Sequence, residues 1–87
     1  MYLHLGQNIT VPEAEVIGIF DLDNTTGSRI TRLFLSEAEK SKRVVAVSEE
    51  LPKSFILCGN KTDFVVYLSQ LSSQTLLKRS GSFLDKL

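Results

Sequence analysis

The chain has 87 residues, enough for one small domain, and ten basic side chains balance ten acidic ones. A domain of this size buries only about 60–65% of its unfolded surface. Yet 43% of the residues are apolar, so some apolar surface must stay exposed or be covered by neighbouring copies. Zero net charge excludes a strongly cationic monomer that coats nucleic acid unaided. A single cysteine, Cys58, excludes an internal disulfide.

The first segment, MYLHLG, alternates, with Leu3 and Leu5 on one side and Tyr2 and His4 on the other. That pattern predicts a short strand ending at Gly6. NITV (8–11) continues as extended chain, and Pro12 begins a bend through VPEAE. VIGIF (16–20) is an unbroken apolar run. It reads as a buried strand, with Gly18 where another group comes close. DLDNTTG (21–27) is dense in turn and capping residues.

From Ser28 the period changes. Ile30, Leu33, Phe34 and Ala38 mark one stripe of an amphipathic helix over about 28–42, with Thr26 or Ser28 as candidate cap. VVAVS (44–48) predicts a strand, EELP a turn, KSFILC (53–58) a strand, GNKTD a hairpin loop and FVVYLS (64–69) its return. Ser72 caps a last short helix, SQTLLKR. Helix and strand do not alternate as βαβ, so the expected class is α+β, a small β-rich domain with a mostly antiparallel sheet. Residues 1–80 form one domain and 81–87 a tail.

Several stretches invite a chemical reading. GIFDLDNTT places Asp21 and Asp23 after an apolar strand, as phosphoryl-transfer phosphatases of the haloacid-dehalogenase type do. Such a site also needs cations for the phosphate and a second acidic pair for magnesium. Here the later acids are Glu37, Glu39, Glu49, Glu50, Asp63 and Asp85, adjacent only at Glu49-Glu50. A doubly wound sheet does not fit in this length, so Asp, Asn and Thr are read as helix caps. His4 has no partner at metal-ligand spacing. Cys58 lies in an apolar strand and reads as a buried, inert thiol. Ser69, Ser72 and Ser73 lack a nucleophile elbow and read as turn and cap residues. Gly27-Ser28-Arg29 could receive an anion at the helix start. No catalytic residue, metal or cofactor, and no small-molecule substrate, is expected. The first residues carry no basic-then-apolar leader, and no apolar run reaches the roughly 18 residues of a membrane span. The expectation is a cytoplasmic, non-enzymatic protein that does not enter a membrane.

Charge is segregated along the chain. Glu13, Glu15, Asp21 and Asp23 stand without a base between them, whereas 29–43 holds Arg29, Arg32, Lys40, Lys42 and Arg43. The basic candidates for contact with phosphate are Lys40, Lys42, Arg43, Lys53, Lys78 and Arg79.

The ordered series YLHLG, VIGIFDLDNT, TRLFLSEAE, PKSFIL and VYLSQLSSQTLLKR resembles the Rem family of extracellular-matrix regulators of spore-forming bacteria, and most closely its RemB branch. The likeness covers about residues 2–80. It implies a subunit of a homo-oligomeric ring that binds double-stranded DNA and regulates transcription of matrix and biofilm genes. In the RemA branch arginines occupy the stretch matching Pro12–Val16 and the turn matching Glu49–Lys53. Here Glu13, Glu15, Glu49 and Glu50 stand there, and only Lys53 is basic. The alternative is a structural or adaptor ring that binds a protein partner without DNA.

Overall fold

The computed structural model describes residues 1–22, 29–60 and 62–79. Among the described residues six strands and two helices follow in chain order. They are β1 (Tyr2–Gly6), β2 (Ile9–Pro12), β3 (Val16–Asp21), α1 (Arg29–Lys40), β4 (Val44–Ala46), β5 (Ser54–Gly59), β6 (Phe64–Ser69) and α2 (Ser73–Arg79). A 3-10 turn, Glu13–Glu15, joins β2 to β3.

Strands β1 and β2 form an antiparallel ribbon, and the other four form a sheet ordered β3-β5-β6-β4. At the ribbon's bend Gly6 and Gln7 have φ of 120° and 49°, the first a conformation that only glycine adopts easily. The pairs β3–β5 and β5–β6 are antiparallel, but β4 runs parallel to β6. It follows that β3 and β4 are parallel and sit on opposite edges. The unit β3-α1-β4 is therefore a crossover, split by the β5–β6 hairpin. This corrects the expectation that helix and strand never alternate as βαβ. The pattern of single segments does not reveal it, because the hairpin that separates the two parallel strands comes later in the chain.

Strict alternation along β5 divides the core in two. Ile56 and Cys58 join Leu3, Leu5, Val11, Val47 and Leu76 beneath the ribbon and α2. Phe55 meets Leu22, Ala38 and Val66 on the opposite face, with Phe34 and Leu35 of α1 packed against them. The molecule is thus three layers, with ribbon and α2 on one face of the sheet and α1 on the other.

Two fully buried hydroxyls tie the layers. Ser69 Oγ donates to the Leu5 carbonyl at 2.6 Å and accepts the Leu71 N–H at 3.0 Å, linking ribbon, sheet and the turn into α2. Its cross-strand partner Ser54 donates to the Leu71 carbonyl at 2.8 Å. Each hydroxyl is satisfied, as burial demands. Ser72 caps α2 as the sequence predicts, its Oγ accepting the Thr75 N–H at 3.1 Å.

Helix α1 ends earlier than the predicted 42. The Lys42 N–H reaches the Glu39 carbonyl and the Arg43 N–H the Ala38 carbonyl. This paired pattern is a Schellman stop, with Lys42 at φ 59° in the position that glycine usually takes. The proposed caps Thr26 and Ser28, and the Gly27-Ser28-Arg29 anion site, fall on or beside residues outside the described set. So does Asp23.

The run VIGIF differs most from expectation. It is an edge strand, not a buried one, with Ile17 50% and Phe20 38% exposed. An edge strand has one neighbour, so an apolar run there stays partly uncovered. Gly18 does mark a close approach: a Cβ there would meet the Phe20 ring at 2.7 Å. That ring folds back over Gly18 and stacks on Phe55 at 4.8 Å.

Candidate nucleic-acid interface

The strand directions define two ends of the sheet. One end holds the starts of β3, β4 and β6 and the finish of β5. The other holds Lys53, Ser54 and Ser69. The six candidate bases fall in three places on this frame.

Lys40, Lys42 and Arg43 lie at the first end, where α1 finishes and β4 begins. Cations suit a helix C-terminus because they oppose its dipole. Lys40 and Lys42 are exposed. Lys40 approaches Glu37 at 3.9 Å, both side chains largely in solvent, so the pair contributes little. Arg43 differs. Its guanidinium lies 4.6 Å from the Phe64 ring centroid, donates to the Phe64 carbonyl at 3.0 Å and nears Asp63 at 3.8 Å. Stacking and hydrogen bonding at once commit this side chain to holding β4 against the start of β6.

Lys53 sits at the opposite end. Its backbone is fixed across the sheet, the N–H donating to the Ser69 carbonyl and the carbonyl accepting the Leu22 N–H. Its side chain is exposed. Lys78 and Arg79 end α2, on the ribbon face. Arg79 leans on the His4 carbonyl at 3.5 Å. One subunit therefore gathers no single basic patch from these six residues.

The acids Glu13, Glu15, Glu49 and Glu50 are not equivalent. Glu13 is buried at 8% exposure in the 3-10 turn, while Glu15, Glu49 and Glu50 are exposed. Glu15 also acts inward. Burial first, and then the Glu15 charge, push the Cys58 thiol up to about 11. A thiol so protonated is a poor nucleophile, in accord with the inert role read from its apolar strand. His4 is exposed, its Nε2 2.8 Å from the Gln7 carbonyl.

The sequence pattern missed a second surface. The periodicity puts Ile30 and Leu33 on one stripe of α1 with Phe34 and Ala38, but they are 80% and 57% exposed, and Leu35 turns inward with Phe34 and Ala38. Leu51, 86% exposed, stands at the mouth of an apolar cleft of about 360 Å³ lined by Leu22, Leu35, Val44, Pro52 and Leu68. The one available signal was the excess of apolar residues over what so small a core can hold. No helix among the described residues is long and apolar enough to cross a membrane.

No protein-family model matches the chain. The extracellular matrix regulatory protein B of Bacillus subtilis (strain 168) is 38% identical over 80 residues, which span 92% of this chain and 90% of that protein. Likeness at this level, with nearly equal coverage of the two chains, shows that the protein belongs to the Rem family, as a RemB-like member.

Proposed function

We infer that the protein is a non-enzymatic, cytoplasmic regulator of extracellular-matrix and biofilm genes that binds double-stranded DNA as a homo-oligomeric ring. The observation that carries this reading is the scatter of exposed bases over a neutral subunit. Lys53, Lys78 and Arg79, with Lys40 and Lys42, are too few and too dispersed for one copy to neutralise a useful run of phosphates. Repeated by symmetry they become a multivalent surface, and weak contacts multiply into avidity. Likeness to a protein named as a matrix regulator gives the reading its biological direction. Closing the sheet edges by assembly would also cover the exposed Ile17, Phe20 and Val45.

The test is duplex binding by fluorescence anisotropy between 50 and 200 mM salt. A ring touching six to ten phosphates loses roughly 10³–10⁵ in affinity over that range. Lys53→Ala and the pair Lys78→Ala with Arg79→Ala should each weaken binding about equally on unrelated sequences. Tight binding that survives high salt would refute the electrostatic mechanism.

A second reading, a ring that docks a protein partner, is favoured by the zero net charge and by exposed Glu15, Glu49 and Glu50. An intact multimer that fails to retard DNA even at low salt would select it.

A further inference from the structure

The cleft at Leu51 lies on the α1 face of the sheet, over β4 and β6. Its volume of about 360 Å³ falls within the range of about 300–1,000 Å³ that bound groups fill. A leucine in solvent beside an apolar hollow forgoes burial that a guest would supply. The rim on α1 is charged. Glu39 lines the cleft and also, with Leu35, a groove along α1 whose other walls are Arg32, Ser36 and Lys40. Arg32 and Lys40 are exposed, and Lys40 is held only by its weak approach to Glu37 at 3.9 Å. The site is thus an apolar hollow beside two bases and one acid.

The chain itself supplies a segment of matching chemistry. Phe83, Leu84, Asp85, Lys86 and Leu87 lie outside the described residues. They offer three large apolar side chains, an acid for the two bases and a base for Glu39. The other undescribed stretch of any length, 23–28, holds no large apolar residue.

A subunit's own segment falls short of its own cleft. Helix α2 packs on the ribbon side, against β1 and β3, whereas the cleft lies on the other side, over β4. The order β3-β5-β6-β4 separates those edges by three strand spacings, about 14 Å, and each layer packs about 10 Å from the sheet. A line from α2 to the cleft runs about 20 Å through the sheet, and any route around an edge is longer. The five residues from Arg79 to Leu84 reach at most about 18 Å.

We propose that the 83–87 segment of one subunit docks in the α1-side cleft of the next, so that neighbouring copies exchange arms. This rests on the multimeric part of the function proposed above, and it names a contact that builds the multimer. Arm and cleft are different surfaces, so each subunit gives one arm and receives one. Such a head-to-tail contact generates a ring where the rotation closes. Lys40 then faces the arriving arm, which leaves Lys42, Lys53, Lys78 and Arg79 for DNA.

The experiment is disulfide trapping of the full chain in a Cys58→Ser background, with two variants co-expressed and a size tag on one. Leu51→Cys with tagged Leu84→Cys should give a covalent heterodimer on a non-reducing gel. Thr62→Cys with tagged Leu84→Cys should not, since the β5–β6 hairpin does not line the cleft. Both Leu51→Cys and Leu84→Cys in one chain should give a ladder of multimers. By native mass against concentration, Phe83→Ala should weaken assembly roughly 10- to 100-fold in dissociation constant. Leu51→Asp should do the same with unchanged circular dichroism, because Leu51 is already in solvent. Arg32→Glu should weaken assembly by up to about fivefold, as for an exposed pair, and Asp85→Arg in the same chain should restore it. A wild-type multimer that yields no heterodimer, or that survives Leu51→Asp with unchanged affinity, would place the contact elsewhere and overturn the proposal. An intrachain disulfide in the double variant without the heterodimer would show each arm in its own cleft, and would overturn the exchange. A monomeric wild type would overturn both this and the ring. A heterodimer with no DNA binding would leave the exchange standing and remove the DNA reading alone.

Discussion

Replacing Leu76 by alanine tests how the outward bases of α2 are held in place. The helix has seven residues, far below the length at which a helix persists in water. Its position depends on the Ser72 cap and on Leu76, which is fully buried among Leu3, Leu5 and Ile56. Leu→Ala in such a site costs about 2–5 kcal/mol, since the lost transfer energy is joined by a cavity that neighbours cannot close. Taking about 3 kcal/mol, a domain this size should melt roughly 12–24 °C lower. The neighbouring Leu77→Ala is the internal control: Leu77 is 37% exposed, so the same chemistry should cost under about 1 kcal/mol. Calorimetry or thermal circular dichroism at one fixed protein concentration is the assay, because assembly would make Tm concentration-dependent. Amide exchange over 73–79 should quicken in the Leu76 variant alone. Equal, small shifts for the two variants would show that α2 is not docked through Leu76, and the placement of Lys78 and Arg79 would fall with it.

Lys42→Gly should stabilise the subunit by about 1 kcal/mol, because a left-handed C′ residue with a Cβ is strained and glycine is not. Urea unfolding at one fixed protein concentration reads this, and a loss of stability would mean the turn is not of this kind. Cys58 makes an alkaline prediction. Its folded thiol is pushed up to about 11 from an ordinary value of 9.0, so the unfolded chain releases its proton first as pH rises. The stability it contributes is whole below about pH 9 and disappears between there and about 11. Tyr67 is raised too, by burial first, and acts in the same direction. Cys58→Ala should lose less stability than wild type between about pH 9 and 11, and thiol reagents should label native Cys58 slowly at pH 8. Rapid labelling of folded protein at pH 8 would contradict the burial.

Most elements were readable because local pattern decided them. Leu3 and Leu5 alternate inward along β1, Ser72 caps α2, and Asn60 closes the β5–β6 hairpin, its Oδ1 accepting the Thr62 and Asp63 N–H groups. What sequence did not reveal was position within the sheet. VIGIF has the composition of a central strand, and only the pairing order makes it an edge. The same holds for α1. Its apolar positions span more of the helix surface than one contact can cover, and the backbone alone determines that Leu35 faces inward while Ile30 and Leu33 face water. The basic candidates were legible as residues but not as a surface, since Arg43 resembles its neighbours in sequence and differs only by the Phe64 ring beneath it.

Glu13, Glu15, Glu49 and Glu50 bear unequally on the proposed DNA binding. A carboxylate weakens phosphate contact only where it faces the same solvent, within about a Debye length of 8–10 Å. Glu13 is buried in the turn between β2 and β3, its N–H bonded to the Met1 carbonyl. Its place in the fold makes it part of the subunit's packing, not a guard on the surface. Glu15 lies beside Cys58 and Tyr67, and its charge adds to the upward push on both groups. That leaves Glu49 and Glu50, in a turn where the Glu50 N–H is held by Ser48 Oγ at 3.1 Å, only a few residues from exposed Lys53. Opposite charges so close along the chain cancel at a distance and still discriminate at contact. On the proposed reading, a surface built this way would bind DNA only where many copies align their bases with the phosphates at once, so that assembly would set both the affinity and the shape of DNA accepted.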